Sequence, residues 1–521
     1  MKALTSPRAP FIFILMWSLP GAPSEAQAAR DRAIILGSPA LRRSGSGGVA
    51  IIRAGDPTLF ALLGGRISAM SWKDYLQQHQ SVHLEDFRDF LAIPSISAQP
   101  DHQADVRRAA DWLAERFRKA GFTAEVLPTA GHPVVLAEYC PYPNRPTVLF
   151  YGHYDVQPAD NPERWNSPPF EPTVVDGRIV ARGASDMKGQ VMAFLLATEA
   201  LIATGNLGLN VKALIEGEEE IGSPSLPAFI EQNRARLCCD MIINGDSGQL
   251  SETTPLLSLG ARGICGLEFD LIGPSHDLHS GSWGGQVQNP LHAMAELIAS
   301  LHNPDGSVAV KGFYDDVEPL GAELREWYKR IPWNEEEMKQ KLGVPEFYGE
   351  VGYTAWERIT GRPTLEVNGM WGGYMGPGGM TVIPSTAHAK ITCRLVPQQD
   401  PEKILTLVRA HLEEHLPKGV RLQVRVKESG APAFRMRADH PVAQVAREVL
   451  TELYGVPPVE TMFGGSVPIL STLKQLLGHD PVSFGFGLED ELIHSPNEFF
   501  RLSSFEKGKQ GYAMLLMHLA R

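Results

Sequence analysis

From about residue 80 the spacing of apolar positions divides the chain into alternating elements. "DVRRAADWLAERFRKAGF" sets Ala109, Ala110, Leu113 and Phe117 on one face at helical spacing, which predicts an amphipathic helix. Three short apolar runs follow, "TAEVL", "VVLAEY" and "TVLFYG", each of strand length. "MKGQVMAFLLATEALIATG" predicts a helix that stops at a glycine. "LNVKALI" and "DMIIN" predict two further strands. Helices and strands in this alternation predict an α/β fold, a mixed sheet flanked by helices.

Near Ser258 the pattern changes. "GICGLEFDLIG" predicts a strand with partial alternation, and "NPLHAMAELIASLH" predicts a helix with Pro290 in its first turn. A long, irregular, aromatic-rich stretch follows. Then come the strand "AHAKITCRLV", the helix "DPEKILTLVRAHLEEHL" and the strand "VRLQVRV". A β-α-β-α-β order of this kind suits a small α+β domain of the ferredoxin-like type. From about residue 434 the first pattern resumes, with the helix "HPVAQVAREVLTELYG" and the strand "PVSFGFG". One domain is therefore expected inside another. Residues 75–257 and 434–521 form the outer domain, and 258–433 the insert.

The first 69 residues stand apart. Lys2 and Arg8 precede the apolar run "FIFILMWSL", and "AQA" follows at 26–28, as in a secretory signal. Yet residues 29–69 show no recognisable element, and "RRSGSGG" reads as disordered. A clear helical pattern begins only at "MSWKDYLQQHQ". Two readings follow. Either Met70 is the natural start and the protein is cytoplasmic, or the segment is a real signal and the protein is exported. No later stretch reaches the roughly 18–20 apolar residues that a membrane span needs.

Composition narrows the function classes. A chain of 521 residues, 43% hydrophobic and 21% charged, is ordinary for a soluble enzyme of more than one domain. A net charge of −12, with no lysine or arginine stripe, argues against a nucleic-acid partner. Five cysteines in such a length make no disulfide framework, and there is no CxxC. Any metal here must use His, Asp and Glu.

Those residue types gather after the predicted strands. "TVLFYG" leads to His153 and Asp155. "VKALI" leads to Glu216, Glu218, Glu219 and Glu220. "MIIN" leads to Asp246, and "PVSFGFG" is followed by His494. Asp186, in "RGASDMKGQ", immediately precedes a predicted helix. Open α/β sheets bind ligands beyond the carboxyl ends of their strands. Imidazole with carboxylate suits zinc, with manganese or cobalt as alternatives. A bridging carboxylate can hold two ions roughly 3.5–4 Å apart, with about five protein ligands and a bridging water. One carboxylate must stay off the metal to move the water's proton, and adjacent glutamates can divide these tasks. Asp155 suits an acceptor that orients His153.

Each feature alone has an ordinary reading. A glutamate run is usually a solvated surface, a histidine after a strand is usually structural, and "GDSG" is a common turn. The conjunction of acidic and histidine positions at strand ends, each beside a glycine, favours a dinuclear hydrolase.

"YGHYDVQP", "RGASDMKG", "EGEEEIGS", "NGDSG", "DLHSG" and "HSPNE" occur in this order. Together they resemble the dinuclear-zinc metallopeptidases that include carnosinases, aminoacylases and succinyl-diaminopimelate desuccinylase. Within that family the resemblance is strongest to cytosolic non-specific dipeptidases and bacterial dipeptidases. It spans residues 75–521. It implies a zinc-peptidase-like catalytic domain with an inserted lid and dimerisation domain. It implies two divalent ions, with Asp186 as the bridge, His153 and Asp246 completing one site, and Glu220 and His494 the other. Glu219 would be the general base, and Glu216 and Glu218 receive no role. The second histidine of "HDLHSG", His279, would reach the active site of a partner subunit in a homodimer and stabilise the oxyanion. Arg394 in "CRLVP", Thr381 in "MTVIP" and Ser466 in "FGGSVP" would contact the substrate. Without the resemblance, His279 reads as a loop residue, Arg394 as a surface strand residue and Ser466 as a helix cap.

Hydrolysis of dipeptides is the expected reaction. Deacylation of N-acyl amino acids by the same metals is the alternative. A catalytically silent binding protein on this fold is the third reading, and it would require a lost ligand or base, of which none is missing.

Overall fold

The protein's structure is a computed structural model that describes residues 70–521, apart from 160, 330, 332, 427–429 and 438. The signal-like run and the rest of residues 1–69 lie outside the described residues. Ser71 caps the first helix, Trp72–Gln78, by a reciprocal pair of hydrogen bonds with Asp74. Helices α1 (Gln80–Leu91) and α2 (Gln103–Lys119) follow, the second burying Val106, Ala109, Ala110, Leu113 and Phe117 as its spacing requires.

The larger sheet is built from β1 (Thr123–Leu127), β2 (Val134–Tyr139), β3 (Thr147–His153), β4 (Asn210–Glu216), β5 (Met241–Asn244) and, far along the chain, Pro481–Ser483. Their order is β1-β2-β4-β3-β5 and then Pro481–Ser483 at the edge. β3 pairs in parallel with both β4 and β5, while β1 and β2 join antiparallel, so the sheet is mixed. Helix α3 (Gly189–Ala203) is apolar nearly all round and is buried accordingly. Its Phe194 stacks on Phe150 of β3 at 3.8 Å between ring centroids. The strand expected over "PVSFGFG" stops at Ser483. At Gly485 the backbone presses against the carbonyls of Gly245 and Ser247, where a side chain has no room.

A second, separate core is formed by a four-stranded antiparallel sheet. Its strands are β6 (Gly263–Ile272), β7 (Thr364–Gly372), β8 (Thr386–Leu395) and β9 (Arg421–Val426), in the order β7-β8-β6-β9. Helices α4 (Pro290–Ala299) and α5 (Pro401–Glu414) contribute Ala293, Met294, Leu297, Ile404, Leu405 and Val408 to this core. This is the ferredoxin-like arrangement in full, since β7 supplies the strand missing from the β-α-β-α-β reading. β7 escaped the sequence pattern because Glu366, Val367 and Asn368 are all exposed and a bulge interrupts it between Val367 and Gly369. The stretch read as irregular also holds three short helices, Ala322–Tyr328, Glu335–Leu342 and Ala355–Gly361. No helix among the described residues is long and apolar enough to cross a membrane.

Candidate metal centre

Strand register delivers the donors to one level. His153, the last residue of β3, lies opposite Glu216 of β4, and Tyr151 lies opposite Asn244 of β5. Glu219 and Glu220 therefore begin just beyond β4, and Asp246 just beyond β5, beside His153. The chain must turn sharply here. A side chain at Gly217 would overlap the Tyr154 ring, and Gly222 closes the Glu219–Ile221 turn at φ 88°. Asp186 arrives from a tight turn before α3, and its peptide bond to Met187 is cis.

Asp186 joins two groups of donors. Its Oδ1 lies 3.1 Å from His153 Nε2, and its Oδ2 lies 3.1 Å from His494 Nε2. His153, Asp186 and Asp246 offer ligand atoms within 4.8 Å of one another, and so do Asp186, Glu220 and His494. Glu220 Oε2 is 3.2 Å from His494 Nε2. Glu219 Oε2 stands farther off, 4.0 Å from His153 Nε2. A cleft of about 600 Å³ opens beside the group, lined by Gln157, Asn161, Arg164, Arg182, His494 and Asn497. A larger cleft of about 950 Å³, lined by Phe434, Arg435, Arg437 and Lys474, includes no histidine and lies apart from the donors.

The four glutamates of the run divide into two kinds. Glu216 is buried and accepts hydrogen bonds from the Tyr151 hydroxyl (2.7 Å) and from Ser223 Oγ (2.8 Å). Glu218 accepts from the backbone N–H of His132 (2.9 Å) and of Ser225 (3.1 Å), so it ties two loops together. Only Glu219 and Glu220 face the donors. Asp155 fixes that geometry from below. Its carboxylate accepts the backbone N–H of Glu219 (3.3 Å) and Glu220 (3.1 Å). Its carbonyl lies 3.0 Å from His153 Nδ1, with Oδ1 at 3.4 Å. An Nδ1–H donating there leaves the Nε2 lone pair for the centre.

The electrostatics describe a group short of positive charge. Burial, with the negative charges of Asp246, Asp186 and Glu220, pushes the Glu219 carboxyl up to about 9, although His153 pulls it down in part. Burial and Asp186 push Asp246 up to about 7. Asp186 and Glu220 push the His494 imidazole up to about 10. Burial would lower His153, but Asp155 and Asp186 hold it well above its usual range. Four carboxylates and two imidazoles, crowded and largely buried, match divalent cations that accept nitrogen and oxygen donors.

The sequence pattern of peptidase family M20/M25/M40 matches residues 149–518. The chain is 31% identical to the Cys-Gly metallodipeptidase dug1 of Schizosaccharomyces pombe over 448 residues, 82% of this chain and 94% of that one. The chain belongs to peptidase family M20/M25/M40. Its fold is that of the structure of human carnosine dipeptidase 1, with a TM-score of 0.75 and 29% identity over 86% of this chain and 98% of the other. It is equally close to an M20 metallo-carboxypeptidase from Sulfolobus solfataricus, with a TM-score of 0.76 and 35% identity over 84% and 99%.

The remaining expected residues of the peptidase lie on or beside the smaller sheet. His279 pairs with Val382 in a two-residue ribbon, next to Thr381, whose carbonyl accepts the N–H of Ser280 at 3.0 Å. Both are exposed. Among the described residues, neither makes a hydrogen bond or ion pair with a metal-centre residue of its own chain. Arg394 lies on β8 opposite Ile264 of β6 and is half-buried, and Ser466 Oγ donates to the Gly263 carbonyl at 2.9 Å. Arg394 and Ser466 thus flank the same end of β6.

Two residues escaped the sequence reading. Glu498 is buried, and its carboxylate accepts the N–H groups of Gly183 (3.0 Å), Ser185 (3.1 Å) and Asp186 (3.2 Å) and an Nη1–H of Arg182 (2.8 Å). It templates the turn that presents Asp186, and "HSPNE" was its only signal. Gln157 Nε2 donates to Glu220 Oε2 at 2.8 Å, and "HYDVQP" carried it unremarked.

Proposed function

We propose that the peptidase is a dipeptidase whose centre holds two divalent ions, zinc foremost, with manganese or cobalt as substitutes. The observation that carries this reading is the pair of donor groups sharing Asp186. His153 and Asp246 complete one site, and Glu220 and His494 the other. Bound there, the ions would supply Lewis acidity, acidifying a water and polarising the scissile carbonyl. Glu219, adjacent to the donors but 4.0 Å from His153, takes the proton of the attacking water and passes it to the leaving amine. Asp155 keeps His153 and the glutamate turn in place. Two named relatives, the Cys-Gly metallodipeptidase and carnosine dipeptidase 1, act on dipeptides, which supports the substrate class.

Residues 258–433 act as lid and dimerisation domain, and 75–257 with 434–521 form the catalytic domain. Arg394 receives the substrate's terminal carboxylate, and Ser466 and Thr381 align it. The Arg394 guanidinium makes no hydrogen bond or ion pair among the described residues. A planar guanidinium left free in this way suits a carboxylate. His279 is supplied across a homodimer to the oxyanion. Support comes from the outer edge of the lid sheet, where Val367, Met370, Trp371, Tyr374 and Met375 are exposed along edge strand β7 and the loop after it. We place the enzyme in the cytoplasm, with export as the alternative.

The test is hydrolysis by protein stripped with chelator and reloaded with zinc or manganese. Dipeptides, a tripeptide and N-acetyl amino acids are offered side by side. Metal-restored cleavage of dipeptides is the expected result. Cleavage of acylated amino acids alone would move the enzyme to the deacylases, and cleavage of neither class would overturn the reading.

A further inference from the structure

Two chain segments link the two cores. The outgoing one runs through Gly260, Ala261 and Arg262 into β6, and the returning one runs through Ala431 to Arg435. They pair antiparallel, with Phe434 opposite Ala261 and Arg435 opposite Gly260, and Ile264 and Ala431 exchange backbone hydrogen bonds at 2.9 and 2.8 Å. A third segment, Val459–Phe463, runs parallel to the outgoing one and leads directly to Ser466. The backbones meet closely. A side chain at Gly263 would strike the backbone of Ala431 and Ala433, and one at Gly464 would strike the carbonyl of Ile359.

Arg262 lies at the middle of this junction and is 9% exposed. Its backbone N–H faces the carbonyls of Phe463 and Gly465, both at 3.2 Å. Its Nε donates to the Gly464 carbonyl at 2.6 Å. Its Nη1 reaches the carbonyls of Arg362 (3.3 Å) and Arg358 (3.5 Å), at the end of the short helix Ala355–Gly361. No carboxylate comes within ion-pair distance of it among the described residues. Glu366 acts on it only from farther away. A buried cation without a paired anion is costly unless its donors are all engaged, and a helix's C-terminal carbonyls provide partial negative charge. Burial, and then the charge of Arg394, lower its pKa to about 10.

We propose that Arg262 is a positioning residue for the substrate's terminal carboxylate. It locks the Phe463–Ser466 loop and the end of the Ala355–Gly361 helix onto the start of β6, the strand that pairs with Arg394. Ser466, anchored to the Gly263 carbonyl, is thereby held at a fixed offset from the Arg394 guanidinium. Neither guanidinium has an ion-pair partner among the described residues, and a substrate carboxylate would supply one to Arg394. This inference rests on the dipeptidase reading.

The test compares a dipeptide that the unaltered enzyme hydrolyses with the same dipeptide as its C-terminal amide. Arg262→Met should raise KM for the free acid about 30-fold while kcat changes less than about threefold, as expected for the loss of charge-assisted positioning. Hydrolysis of the amide, which has no carboxylate to place, should change less than about threefold. Arg262→Lys keeps the charge with fewer donors and should recover part of the loss, and it serves as the deciding variant if the Met form does not fold. In an Arg394→Met background the Arg262→Lys effect should vanish, because the two residues act through one ligand group. Equal losses on acid and amide, or an unchanged KM in both variants, would overturn the role of Arg262 alone. Failure of the unaltered enzyme to cleave any dipeptide would instead overturn the dipeptidase reading on which it rests.

Discussion

The metal centre and the Arg262–Arg394 junction are opposites built by one rule. At the ends of β3, β4 and β5, four carboxylates crowd two histidines, and the acids raise one another's pKa. At the start of β6, Arg262 and Arg394, the latter opposite Ile264, both lack a paired carboxylate among the described residues, and the charge of Arg394 helps to lower the Arg262 pKa. Folded chains seldom bury like charges together without a counter-charge, because each is desolvated and repelled at once. An excess of one sign in a part-buried place therefore indicates the sign of what belongs there. The first region calls for cations and the second for an anion, as the proposed hydrolysis of a peptide with a free carboxylate at a metal centre would require.

The contrast is sharpened most by removing the cations. Chelation should abolish hydrolysis, and zinc or manganese should restore it, as read by initial rates. If stripped protein kept its rate, the acidic region would need another explanation. Neutralising the anion pocket comes next. Arg394→Met should raise KM for a free dipeptide by about 100-fold, in line with the loss of two charge-assisted hydrogen bonds, and leave metal content unchanged. A smaller effect is expected at Gln157. Gln157→Ala removes the N–H that holds Glu220 Oε2, and calorimetric titration should show one metal site weakened by about 10-fold.

The smallest expected effect is a pH trend in the stripped protein. Asp246 has its carboxyl raised from 3.8 to about 7 in the folded, metal-free chain. Between those values the folded chain keeps a proton that the unfolded chain has released, so stability falls as pH rises. Thermal melts of stripped protein should therefore drop from pH 5 to pH 8. The gain on adding zinc should be larger at pH 8 than at pH 5, since binding displaces those protons. A stripped protein that gains stability over this range would contradict the crowding.

The two regions were unequally legible in the sequence. The metal centre could be read because polar residues followed apolar strand runs, as in "TVLFYGHYD" and "VKALIEGEEE", and parallel pairing made those ends coincide. Even there the residue pattern alone could not separate Glu216 and Glu218 from Glu219 and Glu220, because a one-residue step in a turn decides which side chain faces the donors; the family resemblance was what distinguished them. Gln157 and Glu498 were hidden because their partners lie 63 and more than 310 residues away in the chain. Arg262 was hidden for a different reason. Its acceptors are backbone carbonyls, which every residue carries, so no pattern of residue types reveals them. β7 was missed because an exposed edge strand with a bulge has no alternation to read.

The central claim is that the acidic cluster binds two ions while Glu219 stays free to move a proton. It is tested most directly by measuring metal content and kcat together in Glu219→Gln. The expected result is two ions per chain, as in the unaltered enzyme, with kcat reduced by about 1,000-fold. Two ions with full activity would remove Glu219 as the base, and loss of an ion in this variant would make Glu219 a ligand instead.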